Sequence, residues 1–238
     1  MRNHPFILLI LLGSLAISRA DLTVEQKADD GRHIRLLTTK IHGNKMRLDV
    51  RHDTNMLNII VNLDTRDSWT LTPETKTYLQ RSGADLQLVA AARRKAAGTN
   101  ALEMDAPSAL PVNTGKTEKI GELKAEIYTW SGAHDLKETL WVAKDFPNYK
   151  AIQTELAKVD VYNRAGAHRN GQPELSLLPG MVLRTEISTD GQKGTNTLVS
   201  ATVDAVDASQ FELPAGYTLW KPAKKPAEPK LELKPMAP

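Results

Sequence analysis

The chain has 238 residues, with 31 lysines and arginines against 28 aspartates and glutamates, a net charge of +3, and no cysteine. Without cysteine there is no disulfide, no thiol nucleophile and no acceptor for the bacterial lipoprotein route. Setting aside Arg2 and Arg19 leaves 29 basic residues against 28 acidic ones, and this near-neutral balance points away from nucleic acid, whose binding needs basic residues gathered on one face.

Residues 1–20 differ in kind from the rest. Arg2 and His4 precede an unbroken apolar run from Phe6 to Leu12, and Ser18-Arg19-Ala20 places small residues around a large one. This is the pattern of a signal peptide with its cleavage site. The apolar stretch is about a dozen residues, short of the roughly 20 that cross a bilayer. The expectation is a chain that does not span the membrane, exported to the periplasm or beyond, with its mature part starting at Asp21.

From Leu22 the sequence reads as strands joined by tight turns. Leu22 to Ala28 leads to the turn Asp29-Asp30-Gly31, Arg32 to His42 follows, and Gly43-Asn44 turns the chain again. In Lys45 to Arg51 the apolar residues Met46, Leu48 and Val50 alternate with charged ones. A period of two places the apolar set on one face of an antiparallel sheet whose other face is wet. Leu57 to Leu63 repeats the pattern with Ile59, Val61 and Leu63. Ser68 to Thr72 and Lys76 to Gln80 flank the turn Thr72-Pro73-Glu74-Thr75.

The period then changes. Ser82 and Asp85 have the spacing of a capping box, and Gly98 can end a helix over Ser82–Ala97. Arg93-Arg94-Lys95 would sit at that helix's negative end. Thr99 to Thr114 reads as a loop, Lys116 to Trp130 returns to strand with Leu123 and Ile127 on its apolar side, and Lys137 to Lys144 is the next strand. Pro147 suits the first turn of a second helix, with Tyr149, Ile152, Leu156 and Val159 on one face. Gly166 to Pro173 is a turn-rich loop. Met181 to Thr189, with Met181, Leu183 and Ile187 alternating, and Thr195 to Val206 form a last hairpin, and Phe211 to Tyr217 closes the domain. Residues 218–238, rich in lysine and proline, carry too little apolar surface to fold and read as a disordered tail.

No motif assigns a reaction. Gly115-Lys116-Thr117 has Leu110 where a phosphate loop needs its first glycine, and a strand follows where a helix should start. His33, His42 and His52 sit on strands that could bring two of them together as metal ligands, but ordinary surface histidines are the commoner case. Asp49, Asp53, Asp64 and Asp67 could pair for acid–base work only if one were buried. Neither a metal, a cofactor nor a catalytic residue is assigned, and no enzyme activity is expected.

Several stretches in order resemble a known pattern: Gly43-Asn44-Lys45-Met46-Arg47-Leu48-Asp49, the run Leu71 to Tyr78, Thr114 to Gly121 with Ala125 to Tyr128, Glu138 to Ala143, Gly180 to Glu186, and Phe211 to Tyr217. Together they resemble the bacterial domain-of-unknown-function family 4412 and, more distantly, the lipoprotein-carrier fold of the LolA/LolB type. The resemblance implies an α+β fold, a curved antiparallel β-sheet forming a half-barrel, with helices covering its concave face. It covers one domain over residues 21–217, and an acyl chain or another apolar ligand would fit between sheet and helices. The residues expected to line that space are Met46, Leu48, Val50, Ile59, Val61, Leu63, Leu123, Ile127, Met181, Leu183 and Ile187. The reading is a binder or carrier of an apolar or lipid ligand, with an envelope protein–protein interaction module or scaffold as the alternative. N-terminal sequencing of the exported protein should start at Asp21; recovery of an intact Met1–Ala20 segment would contradict the cleavage assignment.

Overall fold

The computed structural model describes residues 21–85, 87–88, 92, 110–132, 135–166, 173, 175–189 and 191–220. The segment 1–20, most of the expected Ser82–Ala97 helix with its basic triplet, residues 93–109, residues 167–172 and the tail 221–238 lie outside them.

The described chain forms a curved, unclosed sheet of 12 strands: β1 (Leu22–Asp29), β2 (Ile34–His42), β3 (Lys45–His52), β4 (Asn55–Asn62), β5 (Ser68–Thr72), β6 (Thr77–Arg81), β7 (Val112–Ile120), β8 (Leu123–Ser131), β9 (Lys137–Ala143), β10 (Met181–Thr189), β11 (Gln192–Thr202) and β12 (Thr218–Leu219). Their spatial order is β12-β6-β5-β4-β3-β2-β1-β11-β10-β9-β8-β7, and every pairing but β12 with β6 is antiparallel. β1 is central because it pairs with both β2 and β11, and so joins the two arms of the sheet. This is the half-barrel that the family resemblance implies.

The register from β1 to β5 is unbroken. Residues directly opposite one another share a face, so Leu22, Ile41, Met46 and Val61 stand side by side. The long helix Tyr149–Gly166 lies on this face, between β9 and its neighbour β10 in sequence. Ile152 is fully buried against Leu22, Ile41, Met46, Val61, Met181 and Leu183, while Tyr149, Leu156 and Val159 pack around them. The expected apolar stripe is therefore the one that docks. Polar ties hold the helix in place: Lys158 Nζ donates to Gly43 O at 3.2 Å and meets Glu155 at 2.5 Å, and the Tyr149 hydroxyl donates to Leu178 O. The helix starts later than expected. Pro147 stays outside it, and Asn148 turns the chain with a φ of 55° before Tyr149 begins the helix.

The opposite face of the same strands is crossed by residues 203–217. Asp21 Oδ2 accepts the Val206 N–H at 2.8 Å, Lys40 Nζ donates to Gln210 Oε1 at 2.7 Å, and Arg47 Nη1 donates to Gln210 O at 2.9 Å. Phe211, 3% exposed, stacks on His42 at 5.7 Å. The strap then passes Trp69 and ends as β12, just beyond which the Trp220 N–H donates to Tyr78 O at 2.8 Å. Strand pairing thus runs to Leu219, past the expected domain boundary at Tyr217.

Two other local readings are modified. The expected loop up to Thr114 ends early, because β7 begins at Val112. β11 begins at Gln192, so the last hairpin is tighter than its glycines suggest. Ser82 does cap a helix start, accepting the Asp85 N–H at 3.0 Å. Gly83 is required there because a Cβ would lie 2.0 Å from Thr65 O. On the far arm, β9 is buried on both faces: Leu140 and Val142 on one, Trp141 and Ala143 on the other. Trp141 Nε1 donates to Glu118 Oε2 at 2.8 Å, and the Arg184 guanidinium lies 3.7 Å over its ring. Replacing Ile152 by alanine should cost about 2–5 kcal/mol in chemical denaturation; a loss below about 1 kcal/mol would show that the helix is not seated on the sheet.

Candidate functional site

Burial on the concave face of β1 to β5 falls row by row along the strands. The first row, Leu22, Ile41, Met46, Val61 and Ser68, is dry: none exceeds 7% exposure. The second row is Val24, Thr39, Leu48, Ile59, Thr70 and Leu79; only Val24 is fully buried and the others are half-buried. In the third row Gln26, Leu37 and Val50 are half-buried and Leu57 is 39% exposed. The fourth row is Ala28, Arg35, His52 and Asn55, with Arg35 and Asn55 exposed. At about 3.3 Å per residue the rows stand some 7 Å apart. The helix covers the first row, and apolar side chains continue for two rows beyond it.

The eleven residues expected to line a ligand space separate into groups. Met46, Val61, Leu63, Met181 and Leu183 are buried in the main core. Ile59, Leu123 and Ile127 are half-buried against it. Leu48 and Val50 lie further along the same face and stay half-buried. Ile187 is apart from its sequence neighbours. The β10 register shifts between Val182 and Arg184, so Met181 lies opposite Ala143 while Ile187 lies opposite Glu138. Those two partners are an odd number of residues apart on β9, which puts Met181 and Ile187 on opposite faces.

Three residues of the open rows escaped the sequence reading: Leu37, Leu57 and Leu79. Leu37 is hidden in the pair Leu36-Leu37, where alternation alone does not choose a face. Its position opposite Val50 is what places it. At the other end of the strands, by the helix, a hollow of about 640 Å³ is lined by Gly43, Asn44, Leu63, Asp64, Thr154, Glu155 and Lys158.

The candidate polar residues are dispersed. Asp49 accepts from Arg47 Nε at 2.7 Å and from Asn58, Asp64 accepts from Asn44 at 2.8 Å, and Asp53 lies 3.6 Å from His52. The Gly83 N–H and the Thr65 hydroxyl hold the Asp67 carboxyl below its ordinary range. Each carboxylate thus has its own local partner, and the four are not paired. Of the three histidines, His33 and His52 meet edge to face at 4.9 Å, whereas His42 turns to the opposite face and binds Asp21 at 2.9 Å. Among the described residues no three His, Asp or Glu side chains gather as metal ligands. No described helix is long and apolar enough to cross a membrane.

Comparison with known proteins places the sheet among relatives. The family described as Domain of unknown function (DUF4412) matches residues 21–217. No curated protein matches the chain. An uncharacterized conserved protein from Thermus thermophilus superposes with a TM-score of 0.51 at 7% identity, over 85% of this chain and 91% of that one; the likeness is one of fold. The Mycobacterium tuberculosis lipoprotein LppX gives a TM-score of 0.37 at 12% identity, over 78% of this chain and 90% of its own. LprF from Mycobacterium bovis gives 0.36 at 11% identity, over 79% and 87%. These two scores are too low to bear on ligand or role.

The gradient of burial sets a gradient of stability. Met46→Ala, in the dry row, should cost about 2–5 kcal/mol, and Leu57→Ala, two rows away, less than about 1 kcal/mol. Equal losses in denaturant titration would show that the face is packed throughout.

Proposed function

The chain belongs to the DUF4412 family, and from that premise we propose that it is a non-enzymatic binder or carrier of an apolar or lipid ligand acting outside the cytoplasm. The observation that carries this reading is the apolar surface of Leu37, Leu48, Val50, Leu57 and Ile59, which continues beyond the helix-covered core without being buried. A folded domain gains stability by burying such a surface, at roughly 25 cal/mol per Å². Side chains left half-open on a concave face are suited to a ligand that completes their burial. The N-terminal segment, read as a signal peptide, supports a place in the cell envelope.

The alternative, a scaffold that pairs through a free sheet edge, directs attention to β7. It is the last strand of the sheet and nearly all its residues are exposed. It also carries Gly115 at a φ of 72°, a register shift between Asn113 and Thr117, and the lysines Lys116 and Lys119. Those features blunt an edge against pairing, so the carrier reading is preferred.

Native mass spectrometry of the protein purified from its own host should find a bound lipid, and the emptied protein should take up a fluorescent fatty acid. Leu48→Asp, flanked by Thr39 and Ile59, should lower that uptake at least about tenfold while leaving the fold intact, because a ligand would bury the new charge without a partner. No copurified lipid and no uptake would overturn the carrier reading.

A further inference from the structure

The apolar rows of the concave face end on a polar one, and its charge is one-sided. Directly beyond Leu37 and Val50, on the same face, Arg35 and His52 stand opposite one another. The His33 ring abuts His52. One permanent cation and two imidazoles therefore occupy the open end of the apolar strip. Beside them a hollow of about 530 Å³ is lined by Asp30, Gly31, Arg32, His33, Gln192 and Lys193, which adds two more cations.

The nearby carboxylates offset this charge only in part: Asp30 pairs with Arg35 at 2.5 Å and lies 3.6 Å from the His33 ring. Asp30 accepts the Arg32 and His33 N–H groups at 3.0 and 2.8 Å and Arg35 Nη2 at 2.5 Å. The His33 and Arg32 N–H groups, with Arg35 beyond them, hold its carboxyl below the ordinary aspartate range. Asp30 fixes the guanidinium from one side, and Arg35 Nε and Nη1 keep no partner among the described residues. Asp53 is 79% exposed and 3.6 Å from His52. A guanidinium held along one edge still presents donors to an oxyanion, and a carboxylate or phosphate matches that fork.

We propose that this end of the face selects a single-chain anionic amphiphile. The alkyl chain lies along Leu48, Leu37, Val50 and Leu57, and its carboxylate or phosphate head is held by Arg35 with His52 and His33 beside it. The inference rests on the carrier reading and adds the ligand's charge and direction. From Leu48 to His52 the strand advances about 13 Å, so chain and head fall on one line. A neutral lipid fills the same rows but gains nothing from Arg35.

The test is displacement of a bound fluorescent probe, phenylnaphthylamine, from the mature protein by oleate, oleyl alcohol or inorganic phosphate, with wild type, Arg35→Gln and Arg35→Lys. Wild type should prefer oleate over oleyl alcohol by about tenfold or more. Arg35→Gln should abolish the preference and leave the alcohol's affinity unchanged; Arg35→Lys, which keeps the charge but loses the fork, should retain part of it. Phosphate should displace nothing. Equal affinity of wild type for oleate and oleyl alcohol would overturn head-group selection and leave the carrier reading standing. Failure of both to bind would overturn both. Phosphate binding as tight as that of oleate would mark an ion site independent of the apolar rows and would also overturn the proposal.

Discussion

The unbroken register from β1 to β5 constrains everything else on the concave face. With no bulge among these strands, every second residue points the same way for the full strand length. The apolar face is thus longer than the part the helix covers. Ile152 and its neighbours close one end, where exposure is near zero, and the remaining rows open toward the other. On the reverse side the strap ties Asp21, Lys40 and Arg47 through Val206 and Gln210, so the polar residues of the alternation are engaged as well. Both faces are covered at the same end of the strands, which gives that end rigidity.

The two ends of these strands differ in how far they are covered. A dry core of Leu22, Ile41, Met46 and Val61 anchors the strands, and the same strands present Leu48, Val50 and Leu57 half-open beyond it. The carboxylates are spent locally on Arg47, Asn44, His52 and Gly83, whereas Arg35 has donors to spare. The concave face thus offers apolar contact that ends at the Arg35 guanidinium, and Asp49, Asp53, Asp64 and Asp67 are each held by separate partners.

The sequence exposed this architecture unevenly. Met46, Leu48 and Val50 alternate so regularly with charged residues that both the strand and its inward face could be read directly. The helix stripe of Tyr149, Ile152, Leu156 and Val159 was equally plain, since an interval of three or four residues admits one docking face. Ile187 was misleading for a physical reason: a bulge adds one residue to β10 and reverses the face beyond it, and the alternation of Met181, Leu183 and Ile187 carries no mark of the insertion. Leu37 was concealed by its neighbour Leu36, and only pairing with Val50 resolves the two. The strap could not be read either, because residues 203–217 follow no period and are held by single contacts to Asp21, Lys40 and Arg47. Arg35 and His52 looked like ordinary polar strand residues until register placed them opposite one another at the end of an apolar row.

A cysteine-free chain permits a direct measurement. Single cysteines placed at Met46, Leu48, Val50 and His52 mark four successive positions on the concave side of β3, and each can be timed against a maleimide in the folded protein. The account predicts reaction rates that climb steadily from position 46 to position 52, with a long-chain ligand slowing the middle two most. Protection at position 50 as complete as at position 46, unchanged by ligand, would mean that the face is closed from end to end and would contradict the account.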